Sequence, residues 1–200
     1  AKLLPEIKNE GFETSSMVNY VARFGNFVNH GFKYTGVLRV FKVLLSYDYL
    51  WNNIRVKGGA YGCSAVFSRS GNAGFVSYRD PNVSNTNKIY EGIVDYAKNF
   101  TANDREMTKS VIGAISEMDT PLTPAGEGMK GLSAYYSKVR HEDMQKEREE
   151  VLNTSEADIR GLVPLIEAVL SDNLICAVGN ADLIEKDSEM FKEVKHLFKD

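Results

Sequence analysis

Apolar and polar residues alternate over residues 16–24, with Val18, Tyr20, Ala22 and Phe24 on one side and Asn19 and Arg23 on the other. A period of two predicts a half-buried strand with its apolar set toward the core. From Val37 the period changes. Val37, Val40, Phe41, Leu44, Tyr47 and Trp51 recur at helical spacing, and Leu38, Leu45 and Tyr49 widen the apolar arc. That arc predicts a buried helix over residues 37–51, stopped before Gly58-Gly59. Residues 62–69 and 73–80 return to the strand pattern, and Ser70-Gly71-Asn72 between them reads as a hairpin loop. Asp80-Pro81-Asn82 ends the pairing.

Beyond Thr86 the pattern is helical. Ile89, Ile93, Tyr96 and Phe100 form one stripe; Met107, Val111, Ile115 and Met118 form a second, with Asn103 as its N-cap and Glu106 three residues on. Thr120-Pro121 and Thr123-Pro124 mark a loop, and Met129, Leu132, Tyr136 and Val139 suggest a further helix. Residues 141–152 read as a charged, solvated helix with Glu147, Glu149 and Glu150 as surface charge. Ser155 opens another helix carrying Ile159, Leu162, Val163 and Ile166, bent at Pro164. Residues 174–179 form a short apolar strand, and residues 181–199 are expected to be mostly helical. No fixed-period repeat is present. Strands fall early, one returns late, and helices fill the interval. This order predicts a single α+β domain over residues 1–200, with an antiparallel-rich sheet and helices packed on one face.

Composition narrows the function classes. With 200 residues and 43% hydrophobic content, the chain can bury its own core. A net charge of -3, with acids and bases mixed, gives no basic footprint for nucleic acid. Gly74-Phe75-Val76-Ser77-Tyr78 matches only the tail of the RNA-recognition signature, because Gly71, Asn72 and Ala73 replace its basic, glycine and aromatic positions. Cys63 and Cys176 lie far apart in strand-like runs and read as reduced, buried thiols. Residues 1–11 lack the apolar stretch of a signal peptide. The most apolar span, residues 37–51, is interrupted by Arg39, Lys42 and Asp48 and is too polar to cross a membrane. A cytoplasmic chain is expected, and a start without methionine suits a segment of something longer.

The chemistry concentrates in Arg55-Val56-Lys57-Gly58-Gly59-Ala60-Tyr61-Gly62. A permanently charged guanidinium and a phenol flank a double glycine, and both can donate to a carbonyl oxygen that becomes negative during acyl transfer. Arg55 and Tyr61 are the candidate catalytic residues; Arg55, Gly58, Gly59 and Tyr61 are candidate substrate-binding residues. The glycines keep side chains out of the path of an extended peptide. They do not form a phosphate cradle, since Lys57 precedes them and the order is helix, loop, strand. His141-Glu142-Asp143-Met144-Gln145 begins like a zinc motif, but Gln145 stands where the second ligand belongs. His30, His141 and His196 are scattered, and no nucleophile elbow is present. The loop reads as half of an active site.

The run over residues 53–62 closely resembles the C-terminal half of pitrilysin/insulinase-type metallopeptidases, nearest to the presequence-protease subfamily. Residues 15–21, Ser-Ser-Met-Val-Asn-Tyr-Val, and residues 119–124, Asp-Thr-Pro-Leu-Thr-Pro, are similar as well, and the likeness covers nearly the whole chain. The resemblance implies a polypeptide of two halves, each built from two related α+β domains. The first half carries zinc on His-x-x-Glu-His and a distal Glu. The second carries no metal, closes over the first to form a chamber, and supplies an Arg and a Tyr that match Arg55 and Tyr61. This chain is then the last domain, with no cofactor of its own. Its implied partners are the zinc-bearing N-terminal half and a peptide substrate, with neither nucleic acid nor membrane. The implied activity is zinc-dependent endoproteolysis of oligopeptides or unfolded presequence-like peptides, to which this domain contributes substrate binding and oxyanion stabilisation. In a eukaryote the compartment would be an organelle matrix. The alternative is a non-catalytic interaction or scaffold domain of the same fold.

Overall fold

The computed structural model describes residues 9–197. Strands β1 (Glu10–Thr14), β2 (Asn19–Asn26), β3 (Gly62–Phe67), β4 (Asn72–Asp80), β5 (Leu174–Asn180) and β6 (Glu193–His196) form one six-stranded sheet in the order β3-β4-β2-β5-β1-β6. The pairs β2–β4, β2–β5 and β3–β4 are antiparallel, and β1 lies parallel to both β5 and β6. The expected α+β class with an antiparallel-rich sheet is therefore what the chain forms. The β3–β4 hairpin lies at one end of the sheet, with β3 as the edge strand.

The helices are α1 (Val37–Leu44), α2 (Ser84–Glu91), α3 (Ile93–Lys98), α4 (Asp104–Met118), α5 (Pro124–Tyr136), α6 (His141–Leu152), α7 (Glu156–Gly161), α8 (Val163–Ser171) and α9 (Ala181–Lys186). The core lies between these helices and one face of the sheet. Val21, Ala65, Phe75 and Ala177 meet Leu38, Phe41, Leu45, Ile54, Tyr90, Ile93, Ile166 and Val169 there, each almost fully excluded from solvent. Asn103 caps α4 with a capping box to Glu106, as its spacing predicts. Pro164 does not bend one helix. It sits in the first turn of α8, where its missing N–H costs nothing, and α7 ends before it.

Four expectations fail for physical reasons. The alternation in β2 is real but its faces are reversed: Asn19, Val21 and Arg23 point inward, and Tyr20 is 41% exposed. Both buried polar side chains are hydrogen-bonded, with Arg23 Nε alone of their donors left without a partner among the described residues. Arg23 donates to Asn87 Oδ1 at 2.7 Å, Glu91 Oε1 at 2.9 Å and the Leu170 carbonyl at 2.9 Å. Asn19 donates to the Asp80 carbonyl and accepts from the Asn180 N–H. Hydrogen-bonded polar groups can be buried, so period alone does not assign the face.

Strands β1 and β6 were not foreseen, and residues expected to continue a helix to 199 end theirs at Lys186 before β6; residues 198 and 199 lie outside the described residues. Strand β6 is a charged edge whose Lys195 pairs with Glu10 and Glu193, a composition that hides strand character. Glu147 is not surface charge: its side chain is 5% exposed and meets Tyr34, Arg39 and Arg69. Glu150 likewise accepts from the Thr35 hydroxyl and the Gly36 N–H just before α1. Finally, α5 exists, but its stripe is not core: Met129, Leu132 and Tyr136 are 64%, 47% and 75% exposed.

Candidate functional site

The helix that delivers Arg55 runs further than its apolar arc predicts. Past Leu44 it continues in wider, π-wound turns over Leu45–Tyr49 and Trp51–Val56. Leu50 donates its N–H to the Leu45 carbonyl and Lys57 to that of Asn52, both five residues back. Such winding is rare and concentrates at functional sites. The stop is a Schellman-like turn widened by one residue: the Gly59 N–H bonds the Arg55 carbonyl at 3.0 Å and the Ala60 N–H that of Ile54 at 3.1 Å. Both glycines are required by this stop. Gly59 has φ +82, and a Cβ on Gly58 would fall 2.5 Å from the Ile54 carbonyl oxygen.

The chain leaving the stop is pinned to β4. The Tyr61 N–H is shared between the carbonyls of Tyr78 at 3.1 Å and Arg79 at 3.2 Å. Below the loop, Asn82 Nδ2 donates to the Gly58 carbonyl at 2.8 Å. Asn82 is held in turn by the fully buried Asp80 carboxylate, which also accepts from the Thr86 hydroxyl at 2.7 Å. The double-glycine loop is thus tied to β4 and to the turn that leads from it into α2, so its side chains stand on a fixed base.

On the outer surface the side chains gather. Tyr61 is 64% exposed. The Arg55 guanidinium carbon lies 4.0 Å from the Trp51 ring centre and 5.9 Å from that of Tyr61. Arg79 approaches Tyr61 at 5.8 Å and Tyr78 at 5.5 Å, all within the reach of cation–π attraction. Tyr61 meets Tyr78 edge-on at 5.7 Å, and Tyr78 meets Tyr20 at 5.3 Å. Among the described residues, neither guanidinium has a carboxylate partner and the Tyr61 hydroxyl makes no hydrogen bond. Their donors are uncommitted. An arrangement of fixed, uncommitted donors is what a carbonyl oxygen gaining negative charge requires.

The fold therefore brings Arg55, Gly58, Gly59 and Tyr61 together at one end of β3. Trp51, Tyr78, Arg79 and Asn82 join them without having been foreseen. Trp51 was detectable, being four residues before Arg55 on one helix. Tyr78 and Arg79 are both exposed, a break in the alternation of β4 that marks a bulge.

The described residues do not fit a zinc site, for no cluster of three or more His, Cys, Asp or Glu could hold a metal. His30 Nε2 pairs with Asp172 at 2.7 Å, His196 Nδ1 pairs with Glu13 at 2.8 Å, and His141 begins the exposed side of α6. The cysteines cannot bridge. Cys63 aligns with Ser77 on the helix side of the sheet, whereas Cys176 aligns with Ala22 on the open side. Burial pushes the Cys63 thiol up to about 11 against the opposing pull of Arg55, which leaves it protonated and weakly nucleophilic. No helix among the described residues is long and apolar enough to cross a membrane.

The family model of the PreP C-terminal domain matches residues 9–180. Protein HypA of Clostridium perfringens is 43% identical over 96% of this chain and 20% of its own length. Presequence protease 1, chloroplastic/mitochondrial, of Arabidopsis thaliana is 34% identical over 94% of this chain and 18% of its own length. The chain thus spans about a fifth of the length of these two relatives. Among solved structures, the peptidase M16 inactive domain from Pseudomonas fluorescens shares the fold with a TM-score of 0.62 at 12% identity, over 87% of this chain and 44% of that one. The chain belongs to the presequence-protease family, matching the PreP C-terminal domain over residues 9–180.

Proposed function

We propose that this chain is the last domain of a longer zinc-dependent metalloendopeptidase and completes its active site. In this reading Arg55 and Tyr61 donate to the scissile carbonyl oxygen as it becomes negative, and Gly58 and Gly59 line the approach of the peptide. The observation that carries it is the uncommitted Arg55–Tyr61 pair, with half-buried Arg55 in the last turn of the π-wound helix and exposed Tyr61 just past the anchored double-glycine loop. Strand β3 supports the peptide's path. It ends the sheet, and an extended peptide can add to such an edge by main-chain hydrogen bonds. Zinc is assigned to the remaining part of the polypeptide, which would close over this domain to enclose oligopeptide substrates. The name of the Arabidopsis relative fits an organelle matrix for eukaryotic members, with the cytoplasm for others.

The scaffold alternative assigns Arg55 and Tyr61 no task, and the two readings separate by experiment. Residues 1–200, purified alone, are expected to carry no stoichiometric zinc and to leave a fluorogenic peptide uncut. The full-length polypeptide is expected to contain zinc and cleave the same peptide in a chelator-sensitive way. Chelator-sensitive turnover by the isolated chain, or a full-length protein inert toward peptides, would overturn the reading.

A further inference from the structure

Arg79 has a conformation and a position that packing does not explain. Its backbone sits at φ +50, in the left-handed region that non-glycine residues occupy at a cost of about 1 kcal/mol or more. The cause is a bulge. Pairing of β2 with β4 runs from Asn19↔Asp80 to Val21↔Ser77, so Tyr78 and Arg79 together oppose Tyr20. A bulge re-aims side chains. Here it turns Asp80 inward, to hold the loop base, and leaves Tyr78 and Arg79 both on the surface. The result is a second guanidinium 5.8 Å from the same Tyr61 ring that Arg55 approaches at 5.9 Å. Among the described residues no carboxylate answers either charge.

We propose that Arg79 is a specificity-determining residue that holds a carboxylate of the peptide substrate beside the Arg55–Tyr61 pair. The proposal rests on the reading of that pair as the oxyanion-binding one. Arg55 is then committed to the reacting carbonyl, and Arg79 is left to read the neighbouring part of the peptide. The rings of Tyr61 and Tyr78 flank its guanidinium and leave the planar fork to make paired hydrogen bonds to a carboxylate. A carboxylate can come from an acidic side chain near the cleaved bond or from the free C-terminus of a short peptide. A Lys or Arg side chain at the same place meets two positive charges and is disfavoured, so selectivity includes a repulsive element.

The test uses the full-length polypeptide and fluorogenic peptides that differ only by Glu, Gln or Lys at positions flanking the cleaved bond. A second pair differs only in a free or an amidated C-terminus. The wild type is expected to rank Glu above Gln above Lys in kcat/KM, or free above amidated, with ratios that shrink as salt is added. Arg79→Gln is expected to compress whichever ratio is present by about five- to tenfold, the size of one partly exposed charge-assisted contact. Arg79→Lys should keep the sign of the preference and lose part of its size. Compression in the side-chain series identifies an acidic residue as the source, and compression in the terminal pair identifies the C-terminus; either supports the proposal. Ratios unchanged in Arg79→Gln would overturn it. So would unchanged ratios with a lowered melting temperature, which would assign Arg79 to an ion pair elsewhere in the polypeptide. Tyr61→Phe assayed on the Gln peptide reads the oxyanion role separately: normal kcat there, with the Arg79 ratio still compressed, removes that role and leaves the carboxylate contact.

Discussion

Tyr61→Phe in the full-length polypeptide is expected to lower kcat by roughly 100- to 1,000-fold while changing KM little. Loss of one oxyanion donor typically costs about 2.7–4 kcal/mol of transition-state stabilisation. The cost falls on kcat because a neutral ground-state carbonyl gains little from the phenol, whereas an oxygen carrying negative charge gains much. The substitution removes one hydroxyl and keeps the ring, so the edge contact with Tyr78 survives. The ring is 64% exposed, and its hydroxyl has no hydrogen-bond partner among the described residues, so the melting temperature is expected to stay at the wild-type value. Arg55→Lys tests the other half of the pair. An ammonium cannot reproduce a planar fork lying over the Trp51 ring, so that variant is also expected to lose kcat. A Tyr61→Phe enzyme with near-normal kcat would return Tyr61 to a packing role and favour the scaffold reading.

The nearness of Arg55, Gly58, Gly59 and Tyr61 was legible because they lie within one short run, where a helix stop, two glycines and a strand start follow in order. What joins them from elsewhere was not. Arg79 and Asn82 reach the loop through sheet register, and register is set by pairing between distant segments that a local pattern does not encode. The π winding that carries Arg55 was hidden for a related reason: its apolar spacing differs little from that of an α-helix. Strands β3 and β4 could be read because a short loop joins them and both alternate. Strands β1 and β6 could not, since β1 pairs with segments more than 160 residues away and β6 presents charge at a free edge. The reversed faces of β2 and the misread Glu147 have one origin. Polar residues were assigned to solvent, but here each meets enough donors or acceptors to be buried.

Glu147→Ala is accordingly expected to destabilise the chain by about 2–3 kcal/mol, which lowers the melting temperature by roughly 4–12 °C at this size. Its carboxylate accepts from the Tyr34 hydroxyl at 2.7 Å and pairs with Arg39 and Arg69, joining α6 to the segment before α1, to α1 itself and to the β3–β4 turn. Removal of one partner from a buried ion pair usually costs about 3–5 kcal/mol. The lower figure applies because Arg39 and Arg69 are 34% and 35% exposed and can turn to water. Burial alone would raise the Glu147 carboxyl, but hydrogen bonds from Tyr34 and Arg39, with the charges of Arg39 and Arg69, hold it below its ordinary value. A carboxylate with a lowered folded value contributes stability above its unfolded value and loses it as pH falls through the folded one. The gap between wild type and Glu147→Ala should therefore be full at neutral pH and shrink only in acid, below the ordinary value of 4.5. Glu149→Ala, on the exposed side of the same helix, should shift stability by no more than about 0.5 kcal/mol. Urea and thermal unfolding of the three proteins at neutral and acidic pH read all of this. Equal stability of Glu147→Ala and Glu149→Ala at pH 7 would show that Glu147 is a surface charge after all, and that the three partners it gathers contribute nothing to holding α6 against the sheet-bearing core.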